Sequence, residues 1–165
     1  VAAATVASHR PGAGPSTSWW LRPLVRFEEA WMTHPVKDHI RGMFVPVRDV
    51  VKAREWYRRL LGLPADEEPL DGRHLCVVPL KDDRDLILDE MPMWGGDQPD
   101  GPPTYRTPAF MFDTDDAHAA HAFVTEYGAE VVTDVNEFDK SGWFAFRDLD
   151  GNLLMVRGAN ARAAD

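Results

Sequence analysis

The sequence predicts an α+β fold of two tandem βαβββ modules, and three observations lead there. Displaced by 67 residues against itself, the chain places Asp49 on Asp116 and sets Ala53, Trp56, Tyr57 and Leu60 on Ala120, Phe123, Val124 and Tyr127. Both sets recur at i, i+3, i+4, i+7, the apolar stripe of a helix with one buried face. Each stripe follows one short strand-like run and precedes several more. With 165 residues, 44% hydrophobic and 27% charged, the chain has the size and composition of one ordinary globular domain.

In chain order, MFVPV (43–47) reads as the first strand and Asp49 as the N-cap of a helix that stops at Gly62. ADEEPLDG (65–72) is expected to hold the next strand, followed by HLCVVP (74–79) and LILD (86–89), which completes a first module over about 40–91. The seam, 92–107, is too rich in Pro and Gly for a helix or a central strand. A second module over 108–158 opens with AFMF (109–112) and has an Asp115/Asp116 cap and a helix ending at Gly128. Strands follow at EVVTDV (130–135), WFAF (143–146) and LLMV (153–156), with Asp150-Gly151 as a hairpin turn. Residues 36–158 are thus expected to form a single domain, and 159–165 a short C-terminal tail.

Residues 1–35 read as a mobile N-terminal extension. HRPGAGPSTS (9–18) has no periodicity, and residues 1–31 carry three Arg against two acids, while the whole chain is at -9. The apolar run TSWWL (17–21) is too short for a secretory signal, and with Met32 just before the patterned region an alternative translation start is expected. The acidic balance disfavours nucleic acid and anionic membranes, and no run approaches the ~18 residues of a membrane span. Cys76, the single cysteine, excludes an internal disulfide framework, which suits a reducing, cytoplasmic setting. Within an apolar run it reads as a buried, inert thiol.

The motifs VPVRD (45–49) with WYRRLLGL (56–63), FDTDD (112–116) with YG (127–128), and FRDLDGN (146–152) resemble those of the vicinal oxygen chelate superfamily. That group holds glyoxalases, extradiol dioxygenases and bleomycin-resistance proteins, and the resemblance covers about residues 40–158. It implies a sheet curled into a cup, with helices on the outer face and the site inside. The family's metal-ligand positions on the first, fifth and eighth strands would fall on Gly42, Ala109 and Met155. None of these suits a hard or borderline divalent ion, so no metal and no cofactor is expected. His118 and His121 read as solvated or satisfied helix histidines, His74 opens a strand with no metal-ligand partner near it in sequence, and Asp148 and Asp150 read as turn residues.

The same resemblance, with strand alternation, assigns faces. Phe44, Met111, Trp143, Ala145 and Met155 would line the cup, Arg147 would lie at its rim, the family's occasional fourth-strand ligand position would fall on Leu88 or Asp89, and Trp94 and Tyr105 would flank the mouth. Phe110, Phe112 and Phe146 would turn toward the helices. Aromatic walls with thioethers and small residues suit a flat or apolar ligand. The resemblance therefore implies a metal-free small-molecule-binding protein of the bleomycin-resistance type. One alternative is a lyase, isomerase or dioxygenase-like enzyme using Asp89, Asp113 or Arg147 on a small carbonyl or hydroxy compound. Another is a dimerisation or interaction module, with a homodimer as its partner state.

Overall fold

A computed structural model of the chain describes residues 38–95 and 99–159. The chain divides into two units, residues 1–39 and 40–165, and only the second is described below. The expected N-terminal extension and nearly all of the C-terminal tail lie outside the described residues.

The elements are β1 (Gly42–Pro46), α1 (Val50–Leu60), β2 (Leu75–Pro79), β3 (Asp85–Asp89), a 3-10 turn (Pro92–Trp94), β4 (Met111–Thr114), α2 (Ala117–Tyr127), β5 (Glu130–Val131), β6 (Asn136–Phe138), β7 (Ser141–Arg147) and β8 (Leu153–Ala159). They form two sheets, ordered β1-β3-β2 and β4-β8-β7-β5, with β6 also on β7. Each module pairs its first strand in parallel with its last, β1 with β3 and β4 with β8. Neither sheet closes into a barrel, which fits a curled cup. Among the described residues no helix is long and apolar enough to cross a membrane.

Local chemistry explains both helices. Asp49 accepts from the Val51 and Lys52 amides, and Asp116 from those of His118 and Ala119, so each carboxylate satisfies two N–H groups that have no partner within the helix. Gly128 ends α2 with a φ of 88°, where a side chain would be strained. Along the strands every second residue is buried toward the helices: Val45 and Val47, Cys76 and Val78, Leu86 and Leu88, Phe144 and Phe146, Leu154 and Val156. Slipping β7 by one residue would exchange two fully buried phenylalanines for Trp143 and Ala145. At ~1.5–3 kcal/mol per large buried side chain, the register is fixed.

Four expectations need correction. Residues 65–72 form no strand. Pro64 and Pro69 interrupt the stretch, and arginines hold its backbone carbonyls: Arg54 donates to Glu68 O (2.7 Å), Arg58 to Pro64 O (2.5 Å) and Arg73 to Pro69 O (2.8 Å). The predicted strand 130–135 keeps only β5 (130–131), and β6 follows beyond it at 136–138, because the Val132 and Thr133 amides both donate to Ala145 O while Thr133 Oγ1 takes the Ala145 amide. Two residues opposite one make a bulge that breaks the ladder. β4 begins at Met111, where pairing with Met155 starts, so Ala109 precedes the strand. Phe123 lies at the edge of its stripe and is exposed.

A buried polar hub ties the modules together. Asp148 accepts from Tyr57 Oη (2.5 Å), from the amides of Asp150 (2.9 Å) and Asn152 (2.8 Å), and from Asn152 Nδ2 (2.8 Å). Asn152 Nδ2 also donates to Pro46 O (2.8 Å), and its Oδ1 accepts from the Tyr105 amide (2.9 Å). Burial, and then the Asp148 charge, hold the Tyr57 hydroxyl well above its ordinary pKa, so it stays a donor. Burial likewise pushes the Asp150 carboxyl up, although Arg48 donates to it. FRDLDGN therefore makes the turn expected of it and also joins β1, α1 and the seam.

Candidate functional site

The faces turned away from the helices carry several exposed large apolar residues. On the first sheet Phe44, Ile87 and Val77 form one cross-strand row, with Pro46, Asp89 and Leu75 beside it. On the second, Met111, Met155 and Ala145 form one row, and Asp113, Arg157, Trp143 and Asn136 the next. Phe44 (46% exposed), Val77 (45%) and Met111 (53%) are large side chains left open by the protein itself. Open apolar side chains grouped in cross-strand rows on a face opposite the core are a common mark of a binding surface.

The Trp143 side chain, partly exposed on β7, has no hydrogen-bond or ring partner among the described residues. Met155 is half-buried between Met111 and Ala145, and Ala145 is buried beside the bulge. Tyr105 is a strap: its hydroxyl donates to Phe44 O, while its carbonyl accepts from the Leu153 amide (2.9 Å). Trp94 stands 69% exposed on the 3-10 turn. Asp89 is buried, with Oδ1 accepting from the Met91 amide (2.8 Å). Arg147 donates to Gly151 O (3.0 Å) and lies 3.5 Å from Glu130. The three groups considered for acid/base work thus sit apart: Asp89 and Arg147 are engaged locally, and Asp113 is on a different strand from both.

Ile87, Val77 and Arg157 were not identified from the sequence. Ile87 matters most, because a Cβ on Gly42 would meet Ile87 Cδ1 at 2.8 Å. A side chain at Gly42 would therefore run into Ile87, its diagonal neighbour on β3. This bears on the metal that the fold family implies. Gly42 and Met155 offer no suitable donor, Ala109 lies off the strand, and among the described residues no three His, Cys, Asp or Glu side chains come together. These residues do not fit a divalent ion.

Other expected groups have local partners. His74 Nδ1 lies 2.6 Å from Glu90 Oε2, and Glu90 Oε1 accepts from the Val50 amide. His118 Nε2 lies 2.7 Å from Glu137 Oε1. His121 is neither solvated nor satisfied: it packs edge-on to Phe144, and its Nε2 is buried without a partner among the described residues. Cys76 is buried, which pushes its thiol up from the ordinary value and keeps it protonated.

A family model for the Glyoxalase/Bleomycin resistance protein/Dioxygenase superfamily matches residues 37–156. Among solved structures, TnmS3, an antibiotic binding protein from Streptomyces sp. CB03234, is 28% identical with a TM-score of 0.56, over 77% of this chain and 100% of that one. A glyoxalase/bleomycin resistance protein from the same organism is 29% identical with a TM-score of 0.52, over 72% of this chain and 98% of that one. A lactoylglutathione lyase from Agrobacterium tumefaciens, 16% identical with a TM-score of 0.56 over 76% and 96% of the chains, shares the fold. None of the curated proteins matches.

Proposed function

The chain belongs to the glyoxalase/bleomycin resistance protein/dioxygenase superfamily, and from that premise we propose that it is a metal-free binding protein holding a flat, largely apolar small molecule on the open faces of its sheets. The observation that carries this reading is the Trp143 indole, without a partner among the described residues, beside Met155 and Ala145 on the open face of the second sheet, where Met111 is also exposed, while Phe44 and Val77 are exposed on the first sheet. A planar ring laid on that indole removes apolar area from water on both partners and adds an aromatic contact. Together these are worth on the order of 1–3 kcal/mol. The 28% identity to an antibiotic binding protein supports the same class of activity.

Titration calorimetry with phenazine-1-carboxamide, a neutral planar probe, tests the proposal. Binding is expected to be unchanged after dialysis against EDTA, and Trp143→Ala should weaken it roughly tenfold to a hundredfold without shifting the melting temperature by more than a few degrees. Loss of binding with EDTA, or full affinity in Trp143→Ala, would overturn the reading.

A further inference from the structure

We infer that the cup selects planar ligands carrying an anionic oxygen, such as a carboxylate, and that Arg157 is the residue that reads it. This rests on the binding reading above and names the ligand class within it.

Arg157 follows Val156 on β8 and so projects from the open face. Its cross-strand neighbours are Trp143 on β7 and Asp113 on β4. Among the described residues it has no hydrogen-bond or ion-pair partner, and Asp113, though in register with it, lies beyond ion-pairing distance. Arg147, on the same face, is by contrast held by Gly151 O and Glu130.

Arg157 also lines a cleft of about 480 Å³ with Met111, Asp113, Lys140 and Ser141. Two cations against one carboxylate make this cleft locally positive in a chain whose net charge is -9. A ring stacked on Trp143 would reach Arg157 from the β7 side, with Asp113 on the far side. The planar guanidinium fork matches a carboxylate with two parallel N–H donors, and such charge-assisted pairs are about twice as strong as neutral ones.

The experiment compares phenazine-1-carboxylate with phenazine-1-carboxamide at pH 7.5, probes alike in shape and different in charge. The wild-type protein should prefer the carboxylate by roughly tenfold. Arg157→Gln, an exposed substitution, should bring the carboxylate down to the affinity of the amide, whereas Asp113→Asn should widen the preference. Equal affinities in the wild type, or a preference that survives Arg157→Gln, would overturn the assignment. Trp143→Ala then separates the two readings. Where the charge test has failed and Trp143→Ala still weakens both probes, only the charge assignment falls. If it leaves both unchanged, or if neither probe binds the wild type, the cup reading falls with it.

Discussion

The two modules are alike on the side that faces the helices and unlike on the side turned away from them. Both follow their first strand with an Asp-capped helix, alternate helix-facing with open-face strand residues, and pair first strand with last in parallel. On the open side the first sheet centres on an uncharged row, Phe44, Ile87 and Val77, while the second sets Asp113, Arg157 and Trp143 beside Met111, Met155 and Ala145. Packing constrains the helix side twice over in the same way. The open side is free to differ: there the first sheet flanks its apolar row with Asp85 and Asp89, and the second adds a cation and an indole.

The sheets also differ in how tightly their small residues are held, and substitution should expose that. A Cβ on Gly158 would fall 1.8 Å from Thr114 O, a backbone atom that cannot swing away. Gly158→Ala should therefore cost about 3 kcal/mol or more by urea denaturation, through displacement of β8 from β4. Asn152→Ala comes next. It strips donors from Pro46 O and Asp148 and an acceptor from the Tyr105 amide at a fully buried site, which should cost about 2–3 kcal/mol in the same assay. Gly42→Ala should be mildest, within about 1 kcal/mol, because the atom it meets is the flexible end of Ile87. A reversal, with Gly42→Ala the more damaging, would show that the first sheet is the rigid one.

Much of the fold was legible because periodic signals carry it. Helix stripes, Asp caps and strand alternation are local, and they set which strand residues turn to the helices before any contact is known. What escaped depends on partners distant in sequence. Tyr57 meets Asp148 across 91 residues and Asn152 meets Pro46 across 106, so the hub looked like a turn and a helix stripe. Ile87 covers Gly42 only once the β1–β3 register is fixed. The bulge at Val132 and Thr133 has no signature in a run of strand formers, and the coil at 61–74 is held by arginines that read as ordinary helix surface. Arg157 stood one position past the apolar run that marked β8, and its isolation from partners is a property of three dimensions.

The central claim is that the ligand sits on the open faces, at Trp143 and Met155. Methyl-labelled methionine NMR tests it most directly. Met111 and Met155 lie on the open face of the second sheet, while Met43 is packed against the helix-side core. Titration with phenazine-1-carboxamide should shift the Met155 methyl most through the ring current of the stacked probe, Met111 next, and Met43 little. Shifts concentrated at Met43, with Met111 and Met155 unmoved, would place the ligand on the helix side and contradict the account.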